Sequence, residues 1–433
     1  MAAEEADEMS PQMALAHYLE HLIGVFSERQ LEVLRMSEFV REREHELHDA
    51  KERAKRAISQ QLTEVDEDVL DRLIALFQSV ETERQDGEEG SLPSSERMDA
   101  FRVAFAEVSN ELPEGIAQTY AESILNSMRP AVGVTFLYGS MLTTLVGELE
   151  VFINLIARVA FEYNPEPLTQ SEKKFTWAEI SAHNSIDEMR DELVDSIVKN
   201  LLRKGLPDWM SFFQDRFGLS ENKAAKSLDA REAIQRRNCV VHNGSKVSQA
   251  YIDNLPDLKT KVKVDDDLKV DADYLAKAAD SLFMVAYSLT WALATKALDD
   301  REALGRAIGA LGDRTMFLIQ EGRLDLVKQI SQAAPHRELE KTPELEELSW
   351  ILRINRWLAF KECGEFHKIR GEVEAFNARS KDDRYKMAKA ALLDEIDEAV
   401  EFARSLLARG ELKPAHILTW PLLKNVRDHT DWS

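Results

Sequence analysis

The sequence predicts an all-α protein in three parts: an N-terminal helical region over 1–128, a central helical bundle over 129–300, and C-terminal helical hairpins over 301–433. Three observations predict it. Glycine (17) and proline (12) are sparse among 433 residues, which leaves few helix breakers. Apolar residues recur at three- and four-residue intervals, the period of an amphipathic helix. The composition, 44 % hydrophobic and 31 % charged, belongs to a folded chain long enough to bury a sizeable core.

Residues 1–10 read as a frayed acidic tail. Ser10 then caps a helix with Pro11 at its first position, carried by Leu15, Leu19, Leu22 and Phe26. A second, heavily charged helix spans 28–61, with too few sustained heptads for a coiled coil. Leu70, Leu73, Ile74 and Phe77 mark a third. The segment 81–95, ETERQDGEEGSLPSS, has no apolar period and reads as flexible; helices resume at Glu96 and after Pro113. Beyond Arg129 and Pro130, the residues Leu142, Leu145, Leu149, Phe152, Ile153 and Ile156 form a strong stripe that ends at Asn164 and Pro165. Helices follow over 189–202, from Pro207 through Phe217, and over 224–243; a polar Lys/Asp-rich loop over 253–273 leads to a closing apolar helix over 274–298. In the last third, acidic or glycine turns at Glu321, Cys363 and Leu393 each precede an amphipathic helix. Val327, Ile369 and Ala399 align with spacings of 42 and 30 residues. These hairpins resemble tetratricopeptide repeats, without any unit matching the whole consensus, and that resemblance implies a protein-binding face.

Charge narrows the functions on offer. With 55 basic and 78 acidic residues the net charge is −23, so the overall field repels nucleic acid and anionic membranes, and any RNA contact must be local. The two cysteines, Cys239 and Cys363, predict a reducing compartment without a disulfide framework. The start, MAAEEADEMS, is too polar for a signal peptide, and the apolar run 131–146 is interrupted by Gly133, Gly139 and Ser140. These features predict a cytoplasmic protein with no membrane contact. No Walker loop, dinucleotide fingerprint, calcium loop or four-ligand zinc pattern occurs, and no cofactor or metal is expected. His17, Glu20 and His21 (HYLEH) match a His-x-x-Glu-His zinc-peptidase pattern, but so short a pattern arises easily by chance and reads as a surface helix.

The stretch 229–251, DAREAIQRRNCVVHNGSKVSQAY, gathers arginines, an amide, a histidine and a glycine. Taken alone it is a helix C-terminus: Gly244 supplies a left-handed cap, a histidine in the last turn suits the dipole, and Cys239, Val240 and Val241 pack inward. Between 222 and 246, six basic residues (Lys223, Lys226, Arg231, Arg236, Arg237, Lys246) face two acids (Asp229, Glu232), a local +4. Arg237-Asn238, three residues, then His242-Asn243-Gly244, followed by Val247 and Tyr251 and a long closing helix, resembles the HEPN superfamily.

That resemblance covers about 129–300. It implies a helical bundle acting as a metal-independent endoribonuclease at a homodimer interface, where two copies of the motif meet, in the role of a stress or phage-defence toxin. Arg237, Asn238 and His242 then carry catalysis, with Arg231, Arg236, Asn243 and Lys246 contacting RNA and Arg236 offering a second register. Five residues separate Arg237 from His242, about 140° around a helix, so one straight copy does not aim both at the same atom. The repeats would bind a protein partner. A second reading keeps the same fold as a non-catalytic interaction and dimerisation protein.

Overall fold

The computed structural model describes residues 9–44, 49–62, 65–86, 95–113, 115–128, 132–170, 175–333, 343–378 and 381–429. Among the described residues every regular element is a helix, apart from one isolated bridge between Lys246 and Asp267. Helix α1 (Pro11–Glu42) starts as expected, the Ser10 hydroxyl accepting from the Met13 amide at 3.2 Å. It does not stop near residue 28. Nothing there interrupts the backbone and Ser27 is fully buried, so this helix of 32 residues takes in the first part of the expected second one, which is left with only Ala50–Ser59. The next, α2 (Ala50–Ser59), begins where the Asp49 carboxylate accepts from the amides of Lys51 and Glu52.

Helices α2, α3 (Glu67–Asp86), α4 (Ser95–Ser109) and α5 (Ile116–Met128) build a small core of their own around Leu70, Leu73, Tyr120 and Ile124. The segment expected to be flexible is helical through Asp86 and again from Ser95; 87–94 lie outside the described residues, as do Arg129 and Pro130.

The main core takes buried side chains from α1, α6 (Val132–Tyr163), α8 (Ile186–Leu202), α9 (Leu206–Phe217), α10 (Leu228–His242) and α12 (Ala272–Ala297), and from the last third of the chain; α7 (Trp177–Ala182) buries none, and α11 (Gln249–Asn254) packs in a smaller cluster. Helix α12 is buried almost all round, as a helix apolar on every face must be. Phe26 of α1 stands 5.1 Å from Phe152 of α6 and 6.4 Å from Phe283 of α12, ring centre to ring centre. Helix α1, grouped by sequence with 1–128, therefore packs into the same buried cluster as the central helices. Helix α10 lies against α6 and α12. At Gly139 a Cβ would sit 3.1 Å from Val240 Cγ1, so the glycine's role is close helix approach.

The last third contains α13 (Arg301–Gln320), α14 (Leu324–Ala333), α15 (Pro343–Glu362), α16 (Arg370–Ala375), α17 (Asp383–Leu393), α18 (Ile396–Ala408), α19 (Pro414–Thr419) and α20 (Lys424–His429). Each turn read from sequence here contains a left-handed residue, Gly322 (φ 73°), Gly364 (φ 72°) and Asp394 (φ 63°). In each, the next amide reaches back five residues: Arg323 to the Leu318 carbonyl, Glu365 to Phe360 and Glu395 to Ala390, all at 2.9 Å. That is the Schellman helix ending, repeated. Helices α13, α14 and α15 pack together. Buried Asn355 of α15 donates to Thr315 Oγ1 of α13 at 2.7 Å, and Thr315 donates on to the Gly312 carbonyl. Asn355→Ala is expected to cost about 1–3 kcal/mol, read as a lower urea midpoint.

Candidate functional site

Ser227 caps α10 by accepting from the Ala230 amide at 3.2 Å, and the helix remains intact through His242 before Gly244 turns left-handed (φ 59°). The chain then folds back. Val247, Tyr251, Leu255 and Leu268 close a small apolar core on Cys239, and Val247 exchanges backbone hydrogen bonds of 2.9 Å with Asp265 and Asp266. The polar span 253–273 is thus pinned to the motif helix at its ends. Val241 corrects one expectation: it is 48 % exposed rather than packed inward. Neighbouring helical positions point about 100° apart, so with Val240 against Gly139 its successor cannot face α6 as well.

Arg237, Asn238 and His242 all line one cleft of about 670 Å³ between α10 and the turn joining α8 to α9. Arg237 Nη2 donates to the Glu150 carboxylate of α6, while its buried Nε has no hydrogen-bond partner. Among the described residues, neither the Asn238 amide nor the exposed His242 ring is engaged in a hydrogen bond or ion pair. The cleft therefore presents a guanidinium, an amide and an imidazole, with two of the three uncommitted.

Arg236 goes elsewhere. Its Nε donates to Glu232 at 2.7 Å, its Nη1 to the Lys269 carbonyl, and its guanidinium stacks 4.1 Å from the Tyr274 ring centre. Buried Glu232 also accepts from the hydroxyls of Tyr251 (2.6 Å) and Tyr274 (2.5 Å). Burial first, and then Glu232, push both phenols well above the ordinary tyrosine value, so they stay protonated donors. Arg236 is a strut behind the motif and does not line the cleft.

The other candidate RNA contacts divide. Arg231 lines the cleft but is paired with Asp257 at 3.0 Å; Asn243 lines it and donates to the Lys246 carbonyl at 2.8 Å. Lys246 is outside it, 3.5 Å from Asp267. The local +4 of the sequence is largely spent in such pairs, Lys226 with Glu221 among them. Four charged lining residues escaped the sequence reading: Glu150, Arg203, Lys204 and Asp208. The run RKGLPDW at a helix boundary was the available signal for the two cations.

Of the zinc-peptidase pattern, Glu20 is held by Arg306 of α13 at 2.8 Å and lies 3.9 Å from His17. His45 and His48, whose three-residue spacing in the sequence is a still weaker metal signal, lie outside the described residues. Among the described residues no cluster of three histidine, cysteine or acidic side chains is placed to hold a metal, and no helix is long and apolar enough to cross a membrane. Comparisons of the chain with protein-family models, curated proteins and solved structures find no match.

Proposed function

We propose that the chain is a metal-independent endoribonuclease of the HEPN type, active as a homodimer and serving as a stress or phage-defence effector. One observation carries this reading: Arg237, Asn238 and His242 converge on one cleft while the adjacent Arg236 is turned away. His242 takes the proton of a ribose 2′-OH, and the 2′-oxygen bonds to phosphorus as the bond to the 5′-oxygen breaks. The protonated His242 of the second copy returns a proton to the leaving 5′-oxygen. The products are a 2′,3′-cyclic phosphate and a 5′-hydroxyl. Arg237 exchanges Glu150 for the scissile phosphate, whose developing charge a bidentate, permanently charged guanidinium suits. Asn238 holds the phosphate or the histidine by hydrogen bonds.

Two copies supply what one helix lacks, since 140° separates Arg237 from His242. The C-terminal hairpins, stacked through α13 to α15, are tetratricopeptide-like and dock a regulator or target protein. The test is RNA cleavage in excess EDTA together with sizing of the purified protein. Wild type is expected to cleave as a dimer, and His242→Ala to lose about 10²- to 10⁴-fold in rate. Cleavage abolished by EDTA, or unchanged in His242→Ala, overturns the reading. A protein that cleaves no RNA yet retains a stable partner in pull-downs is the non-catalytic interaction module instead.

A further inference from the structure

The cleft carries cations that the proposed chemistry does not use. Arg203 and Lys204 sit in the α8–α9 turn, both exposed, and neither has an ion-pair partner among the described residues. This sets them apart from their neighbours: Arg231 is held by Asp257, Arg236 by Glu232, Arg237 by Glu150 and Lys246 by Asp267. In a chain of net charge −23, an exposed cation flanked by acids usually finds one. Here the pair stays open beside the motif, with Asp208 as the nearest acid in sequence on the same rim.

The turn that presents them is braced. The Leu201 carbonyl accepts from the Lys204 amide at 2.9 Å and from the indole Nε1 of buried Trp209 at 3.0 Å. Gly205, with φ −96°, opens α9 without any side-chain cap, and Pro207 stiffens the first turn. The cations therefore project from a fixed backbone rather than from a loose loop.

The shape of the cleft selects among anions. From Arg231 to His242 it follows α10 for eleven residues, about 16 Å of helix axis. A lone phosphate needs far less, whereas a chain of phosphates needs that kind of length. Among the described residues no exposed aromatic side chain lines the wall, and Trp209 is 1 % exposed, so these residues offer no platform for stacking bases. Contacts here read the backbone and leave the bases unread.

We infer that Arg203 and Lys204 form a second phosphate-binding position of this cleft, holding a backbone phosphate of single-stranded RNA next to the scissile one. The inference rests on the reading of the cleft as an RNA site and adds residues to it. The strand enters along the α8–α9 turn, its neighbouring phosphate fixed there, while the scissile phosphate meets Arg237. Binding and cleavage are thereby divided between two elements of the fold.

The test is fluorescence anisotropy with a labelled single-stranded 2′-O-methyl RNA, which lacks the attacking hydroxyl and cannot be cut. Arg203→Ala/Lys204→Ala is expected to weaken binding on the order of tenfold and to lower the slope of log K against log salt by about 1.4, two contacts at about 0.7 each. Lys368→Ala/Arg370→Ala, which removes the same charge from exposed positions outside the cleft, is expected to bind as wild type. Both sites are exposed, and unchanged circular dichroism checks the fold of the variants. Unaltered affinity and salt slope in the double variant overturn the inference, and so does equal binding of poly-glutamate of matched charge. Failure of the cleavage reading looks different: the double variant still loses the probe, but wild type leaves unmodified RNA intact.

Discussion

Glu232→Ala is expected to lower stability by roughly 3–5 kcal/mol in urea unfolding, the largest effect of any single substitution near the site. One buried carboxylate there accepts from the Arg236 guanidinium and from the hydroxyls of Tyr251 and Tyr274. Removing it strands a guanidinium that is 18 % exposed, the buried Tyr251 phenol and the half-buried Tyr274 phenol, each of which was desolvated on the condition of having that acceptor. The damage spreads along the chain, because Tyr251 belongs to the folded-back segment and Tyr274 to the first turn of α12. Glu232→Gln keeps one acceptor oxygen and is expected to lose less. Wild-type stability in Glu232→Ala sinks the idea that this network braces the motif helix.

Arg237→Ala and Arg236→Ala are expected to fail in opposite ways. Arg237 lines the cleft, and its loss removes a charge that stabilises the transition state, worth about 10²- to 10³-fold in rate, while the unfolding midpoint stays close to wild type. Its only salt bridge among the described residues is to Glu150, itself 34 % exposed and able to rehydrate. Arg236 donates to a buried carboxylate and to the Lys269 carbonyl, so Arg236→Ala unfolds earlier, and the folded fraction cleaves at the wild-type rate. Measuring the midpoint and the single-turnover rate of both variants separates them. If Arg236→Ala loses rate with an unchanged midpoint, the two registers have been assigned the wrong way round.

Much of this protein was legible in its residues. The helical class follows from apolar periodicity and few breakers. The Ser10–Pro11 start, the end of α10 at His242 and the turns at Gly322, Gly364 and Asp394 are local matters of capping and backbone sign, readable within five residues. The site was legible only in part: Arg237, Asn238 and His242 were singled out and do share a cleft, whereas Lys246 and Arg236 do not line it.

The sequence by itself determined that the chain is helical, where most helices begin and end, and that one helix ends in an Arg-Asn and His-Asn-Gly pair. Only the tertiary structure decided what those groups face. Arg237 meets a carboxylate 87 positions away, and Arg236 a carbonyl 33 positions away, although the two arginines are adjacent in sequence. The same packing seats α1 in the main core and brings Arg203 and Lys204 of the α8–α9 turn to the motif. Helical period and capping act over a few residues, so a sequence displays them. The partner of a long cationic side chain depends on which helices are pressed together, and that is settled by burial of apolar faces far apart along the chain.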